Sequence, residues 1–384
     1  MEEITKKNNC FGCTACANIC PKHAISMEYD ENGFKYPKVD KDKCINCGLC
    51  KRICPANNEV KKNDNICVYA AKNKNDNIRR KSTSGGLFTA ISNYVLEKKG
   101  VVYGSIMNND FKVVYLRAES KKDIDNMRGS KYVQSDLKET FSSIKKDLEK
   151  NLMVLFVGTP CYVQGLKSYL RKEYDNLILC DIVCHGVPSP LIFDEHVNFI
   201  NKMGKLKKYT FRDKEIGWRG TNVTIEYDTK KESNTVVSDI FSNLYFDGYI
   251  SRICCSKCKY TSINRVSDIT IGDFWEIEKS HNDFNDEKGI NLVLINTLKG
   301  KKVFENIKDE LEYIESSIDK CIQPQLKYPS KENKNKKQFW NDYEKKGFMY
   351  VAKKYTTYGK INSVKKRIKK LVPNKIKQII RGDL

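Results

Sequence analysis

Residues 10–21 read CFGCTACANICP, and residues 44–55 read CINCGLCKRICP. In each stretch three cysteines stand two residues apart, a fourth follows after three more residues, and a proline closes the run. Cys10, Cys13, Cys16 and Cys20 form the first set; Cys44, Cys47, Cys50 and Cys54 form the second. Such a pattern has three readings: a metal ligand set, a disulfide framework or a reactive thiol site. The compartment separates them. The opening MEEITKKNNC lacks the apolar core of an export signal, and no run approaches the ~18 apolar residues of a membrane span. The expected location is the cytoplasm, where thiols stay reduced and 16 cysteines read as metal ligands before disulfides.

A tight loop with three cysteines at this spacing brings three sulfurs to three corners of one cubane cluster. This is the CxxCxxCxxxCP spacing of bacterial ferredoxins, whose fourth cysteine ligates the other cluster. Residues 1–58 resemble the two-cluster ferredoxins over their whole length. On that reading Cys10, Cys13, Cys16 and Cys54 hold one 4Fe-4S cluster, and Cys44, Cys47, Cys50 and Cys20 hold the second. Zinc is disfavoured, because its sites use two pairs of ligands and leave the third cysteine and the proline without a role. Nucleic-acid binding through zinc is set aside on the same ground. The formal charge of +21 suits nucleic acid, anionic membranes or acidic partners alike, so it does not choose among them. Two neighbouring clusters form a one-electron relay, which implies a redox partner protein or complex.

Residues 57–65, NNEVKKNDN, carry no apolar periodicity and read as a linker. From Ile66 the texture changes to apolar runs alternating with helical periods. ICVYAA, VVYGSI, KVVYLRA, LMVLFVG and NLILCDIV read as strands; LFTAISNYVLEKKG, residues 162–170 and residues 191–203 read as helices. NVTIEYD, DITIGDF and NLVLIN add strand candidates. The expected fold class is an α/β domain over residues 66–325, a central sheet flanked by helices, behind a small α+β domain of bacterial-ferredoxin type. Residues 326–384 are expected as a polar loop and then a basic helical tail. There Ile361, Val364, Ile368 and Leu371 fall at helical spacing among Lys365, Lys366, Arg367, Lys369 and Lys370. A helix of that kind suits an anionic membrane surface at the inner face of the membrane, a partner, or packing on its own domain.

Three further stretches bear cysteines: FVGTPCYVQGLKSYL, DIVCHGVPSP and RICCSKCKY. Cys161 follows a strand and opens a helix, whose N-terminus favours a thiolate. Cys184 follows another strand, and Cys255 with Cys258 forms a CxxC. Four such thiolates suffice for a third 4Fe-4S site. Spacing alone leaves open a redox-nucleophile role for Cys161, Cys180 in place of Cys184, and Cys254 in place of Cys255.

Taken together, KSTSGGLFTAIS, GSKYVQSDL, GTPCYVQGLK, DIVCHGVPSP, FRDKEIGWRG, RICCSKCKY and SDITIGDFW resemble the family of coenzyme F420 hydrogenase and dehydrogenase beta subunits. The likeness covers about residues 66 to 325. It implies an FAD-binding α/β domain with its own 4Fe-4S cluster on Cys161, Cys184, Cys255 and Cys258. It also implies electron exchange between a hydride-donor coenzyme of deazaflavin type and iron-sulfur carriers. A flavin can take up a hydride and release electrons singly, so it would connect the two kinds of chemistry. Ser82, Ser84, Gly85 and Gly86 stand just before a helix, where backbone N–H groups can hold a diphosphate; the plain alternative is a serine helix cap. Lys131 is a candidate for a phosphate or for the reduced flavin ring, and Arg212 with Trp218 for the wall of the cofactor or substrate pocket. Tyr162 stands where many members have Gln, and Glu276 where many have Gly. Two rival functions remain: a ferredoxin-dependent flavin reductase of an unknown metabolite, including one in polysaccharide biosynthesis, and an electron-transfer subunit without a substrate of its own.

Overall fold

The computed structural model describes residues 3–359; the expected helix at Ile361–Leu371 lies outside them. The two cysteine runs fold alike. Each ends in a short helix, Ala15–Ile19 in the first and Leu49–Arg52 in the second, and between the runs strands β1 (Ile25–Tyr29) and β2 (Lys35–Val39) pair antiparallel. The backbone repeats in detail. Gly12 and Asn46, each two residues past the first cysteine of its run, both have positive φ, as do Thr14 and Gly48 two residues further on. These left-handed turns coil each run tightly, and Gly12 N donates to Cys10 Sγ at 3.4 Å; past the first helix, Ala24 N donates to Cys20 Sγ at 3.3 Å.

The chain divides into two compact units. The first comprises residues up to 190 together with 211–222 and 252–331. It includes β3 (Cys67–Asn73), β4 (Val101–Met107), β5 (Val113–Ala118), β6 (Val154–Gly158) and β7 (Leu177–Ile182). The second, residues 191–210, 223–251 and 332 onward, contains β8 (Leu206–Thr210), β9 (Thr224–Tyr227) and β10 (Lys231–Ser233). The first unit then adds β11 (Ile269–Asp273), β12 (Asn291–Ile295) and β13 (Leu311–Ser316). Its sheet has eight strands in the order β13-β3-β12-β11-β7-β6-β4-β5. The four consecutive strands β11, β7, β6 and β4 run parallel, and every other pairing is antiparallel.

The parallel strands are near-continuous apolar runs because both sheet faces are covered. Along β6 and β7 the side chains alternate. Val154, Phe156, Leu177 and Leu179 enter one core with Phe11, Cys13 and Ala15 of the first cysteine run, and Leu155, Ile178 and Cys180 enter another with the helix Leu87–Glu97. The ferredoxin-like section therefore packs on one face of the large sheet, within a shared hydrophobic core.

The second unit is a three-stranded antiparallel sheet, β10-β9-β8, with the helices Pro190–Asn201, Asp239–Phe246 and Lys336–Tyr355. NVTIEYD thus supplies β9 of this smaller sheet and lies outside the central one. The helix Lys336–Tyr355, kinked at Gly347, occupies a stretch whose lysine and asparagine content reads as solvated chain. It buries Phe339, Phe348, Val351 and Ala352, and four well-placed apolar residues suffice to fix a helix that its mean composition conceals.

Candidate functional site

Within the first unit, the cysteine runs form two environments. Cys10, Cys13, Cys16 and Cys54 line one cavity, beside Phe11, Met27 and Pro37. Burial pushes the Cys13 thiol up to about 12, and Cys10 and Cys54 push it the same way. The other group gathers elsewhere: the Cys50 thiol is raised first by burial and then by Cys20 and Cys47. Cys44 and Cys47 lie on the loop before the helix Leu49–Arg52, with Cys47 exposed. The fourth cysteine of each run thus faces thiols of the other run.

Downstream, Cys161, Cys184, Cys255 and Cys258 line a single cavity. Topology explains the meeting of the first two. β6 and β7 are adjacent and parallel, paired through Gly158 and Asp181, so the segments leaving them emerge at the same sheet edge, where open α/β sheets place their ligands. Cys161 is the second residue of the helix Pro160–Leu170, and Cys184 follows β7 by two residues. Cys255 lies on the 3₁₀ turn Ile253–Lys257, and Cys258 directly follows it. Thr159 Oγ1 is 3.2 Å from Cys161 Sγ, and Gly186 N donates to Cys184 Sγ at 3.3 Å. Cys180 lies in the core of the sheet, away from this cavity, whereas Cys254 also reaches the lining.

The donor set has a definite chemistry. Burial raises the Cys161 thiol well above its ordinary value, and Cys258, Cys184 and Cys255 raise it further; burial lifts Cys184 to about 12, with Cys255 and Cys258 adding to it. Thiols packed this way ionise together only around a cation, which is what cluster iron provides. Among the described residues no three His, Cys, Asp or Glu groups close up around a single metal ion. The four thiols line one shared pocket, and four cysteine sulfurs are the donor set a 4Fe-4S cluster takes.

Two arginines line this cavity. Arg265 meets Asp181 at 3.0 Å, an ion pair buried with Thr270. Arg252 is 1 % exposed and has no carboxylate among the described residues. Its Nε donates to Cys10 O at 2.8 Å, one terminal nitrogen to Gln134 Oε1 at 3.0 Å and the other to Lys35 O at 3.0 Å. Its plane lies over the Tyr36 ring at 4.1 Å. Phe11 lines both cavities, and its ring meets Tyr260 edge-on at 5.2 Å.

The expected flavin contacts are engaged locally. Ser82 Oγ donates to Ile78 O and Ser84 Oγ to Ile290 O, both at 2.7 Å. Gly85 lies so close to β3 and β12 that a Cβ there would sit 2.7 Å from Asn291 N and overlap Ala71 O. Gly86 precedes the helix Leu87–Glu97 with φ of 90°, and the cap comes from across the sheet: Leu87 N donates to Asn291 Oδ1 at 3.0 Å. A serine cap therefore does not account for this segment. Lys131 donates to the carbonyls of Met127, Arg128 and Gly129, and burial pulls its pKa down to about 7. Arg212 is tied to Asp273 and to Trp218 O, and lies 5.0 Å over the Trp275 ring; Trp218 Nε1 donates to the same Asp273 at 2.7 Å.

Sequence reading missed Lys214. It donates at 2.7 Å to both Arg79 O and Ser84 O, and its pKa is likewise drawn down to about 7 by burial and then by Arg79. Thr83 accepts from Ser130 N at 2.8 Å, so the segment bearing Lys131 adjoins the Ser82–Gly86 loop. Two lysines with no carboxylate in ion-pair reach among the described residues thus flank a glycine-rich helix start, a setting suited to an anionic ligand. The spacing of these residues in sequence carries no trace of that convergence.

The chain matches three family descriptions. Residues 9–58 match the "4Fe-4S dicluster domain", residues 68–141 the N-terminal part of the coenzyme F420 hydrogenase/dehydrogenase beta subunits, and residues 152–320 the C-terminal part of the same beta subunits. The chain is similar to one of the subunits of the F(420)H(2) dehydrogenase of Methanosarcina mazei, at 24% identity over 343 residues, covering 82% of this chain and 87% of that protein. Among solved structures, a chain of the F420-reducing [NiFe] hydrogenase complex from Methanosarcina barkeri aligns with a TM-score of 0.47 and 14% identity, over 74% of this chain and 94% of that one.

Proposed function

The chain belongs to the family of coenzyme F420 hydrogenase/dehydrogenase beta subunits, and from that premise we propose that it is an iron-sulfur flavoprotein oxidoreductase. In this reading it passes electrons between a hydride-carrying coenzyme of deazaflavin type and 4Fe-4S clusters through FAD, and exchanges them with a partner protein or complex. Residues 1–58 are the two-cluster section, 66–325 the flavin section with a third cluster, and 326–384 the basic tail. The relative named as part of an F(420)H(2) dehydrogenase lends support to the coenzyme.

The observation that carries the reading is the pair of four-thiol cavities sharing Phe11 as a common wall. Cys161, Cys184, Cys255 and Cys258 would hold the cluster of the flavin section, with Gly186 N–H supporting the Cys184 sulfur. Ser82, Ser84, Gly85, Gly86, Lys131 and Arg212, joined by Lys214, would hold the flavin and its diphosphate. When bound, FAD supplies conversion between a two-electron hydride and single electrons. The protein's own contribution is to keep the carriers close and dry: Tyr260, Phe11 and Tyr162 are all buried in the core that joins the cysteine sites.

Anaerobic purification with iron, sulfide and flavin quantitation tests the parts. About twelve irons and one flavin per chain are expected; about eight irons without flavin would leave the ferredoxin section alone standing. Mixing with reduced coenzyme F420, and separately with reduced ferredoxin, tests the donor. Failure of reduced F420 to bleach the flavin, with reduced ferredoxin succeeding, would overturn the deazaflavin reading in favour of a ferredoxin-dependent reductase.

A further inference from the structure

Arg252 and Arg265 sit on the same cavity wall, yet only Arg265 has a carboxylate. A guanidinium buried without a counter-charge costs several kcal/mol, so a native fold that keeps one has an anion to offset it. The ionisable groups that act most strongly on Arg252 are the thiols and phenols of Cys10, Tyr36, Cys254 and Tyr162, and Cys13 feels its charge in turn. The remaining contacts are neutral: two carbonyls, one amide oxygen and the Tyr36 and Phe34 rings. An oxidised cubane with four thiolates carries net negative charge, and each electron added makes it more negative.

We propose that Arg252 is the counter-cation of the cluster held by Cys10, Cys13, Cys16 and Cys54, and that its charge raises that cluster's reduction potential, favouring electron arrival at the station nearest the flavin section. This rests on the iron-sulfur reading above. Arg252 acts through the Cys10 main chain and through its charge at Cys13, as a positioning residue. Gln134 holds it in place: its Oε1 accepts from Arg252, while its Nε2 donates to Phe11 O at 3.2 Å and Tyr162 Oη at 3.1 Å. The coupled step is a one-electron reduction of the cluster, with the electron supplied by dithionite in a titration and no bond made or broken.

The test is an EPR-monitored redox titration of the full-length, iron-loaded protein, with iron and sulfide measured on the same samples. The signal of the Cys10 cluster is identified as the one that Cys13→Ser removes. In Arg252→Gln that signal is expected to move, its reduced-to-oxidised ratio at fixed potential falling at least ~10-fold, ~59 mV for a one-electron couple. Arg252→Lys, which keeps the charge, should recover most of the shift. Gln134→Glu places a carboxylate on the guanidinium without removing it, and is expected to lower the same potential even if Arg252→Gln does not assemble. Full iron with an unmoved potential in Arg252→Gln or Gln134→Glu, or a Lys variant as shifted as the Gln variant, would overturn the proposal. A wild-type protein lacking the Cys10 cluster would instead defeat the iron-sulfur reading on which it rests.

Discussion

The two cysteine runs share spacing, backbone turns and a short helix, and differ in almost everything around them. Around the first, Cys10 and Cys13 are buried, and Cys13 packs against the helix Pro160–Leu170 so closely that a Cβ on Gly165 would lie 2.8 Å from its Cβ. Around the second, Cys47 is exposed and Ile45 is 58% exposed. Each run also has an arginine on a cysteine carbonyl: buried Arg252 on Cys10 O, exposed Arg52 on Cys47 O at 2.9 Å. Equivalent ligand geometry in unequal surroundings differentiates two otherwise equivalent carriers, because a charge in a dry site acts at full strength and one in water is screened.

The contrast can be broken most forcefully at Gly165. Gly165→Val drives a side chain into Cys13, and overpacking of ~2–3 kcal/mol is expected, seen as a fall in melting temperature together with loss of the Cys10 cluster's EPR signal. The outer signal should persist; simultaneous loss of both would show that the runs are not separable. Comparable in size is a pH effect at Lys131, whose folded pKa of about 7 lies below its unfolded value. Between about pH 7 and 10 the unfolded chain binds the extra proton, so this lysine makes wild-type stability rise with pH, by at most ~1.4 kcal/mol per unit. Lys131→Met should therefore gain most over wild type at or below pH 7, with the gain shrinking by pH 9; equal differences at both pH values in thermal melts would count against a desolvated lysine.

Smaller effects sharpen the same comparison. Glu276 occupies the left-handed region at φ of 59°, directly after the Asp-Phe-Trp stretch, where glycine would be unstrained. Glu276→Gly is expected to raise stability by up to ~1 kcal/mol in denaturant melts. The smallest change is reserved for the outer run: Arg52→Gln should alter the reduced-to-oxidised ratio of the outer cluster less than ~2-fold at moderate salt, because solvent screens that charge. A shift as large as that of Arg252→Gln would erase the distinction between buried and exposed stations.

Ligand spacing is legible because cluster geometry dictates local intervals, and the parallel strands are legible because doubly buried strands are apolar throughout. Cys161 and Cys184 could be brought to one edge on paper, since each follows a strand. Which of Cys180 and Cys184 faces the cavity required the register, as a one-residue change of pleat turns a side chain to the other face. Arg252, Gln134 and Lys214 stayed invisible for a different reason. Each acts on a carbonyl or a side chain more than a hundred residues away, and carbonyls leave no mark in a sequence. The strand order was beyond local pattern as well, since β3 finds its partners in β12 and β13, over two hundred residues later.

The open position of Cys47 has a consequence for the protein's life in air. Sulfur that meets solvent meets oxidants first, and the thiol of a ligand lost to sulfenic or sulfinic acid no longer holds iron. Damage on the proposed reading would then begin at the cluster that Cys47 helps to hold, while Cys10, Cys13 and Cys54 of the other ligand set lie buried.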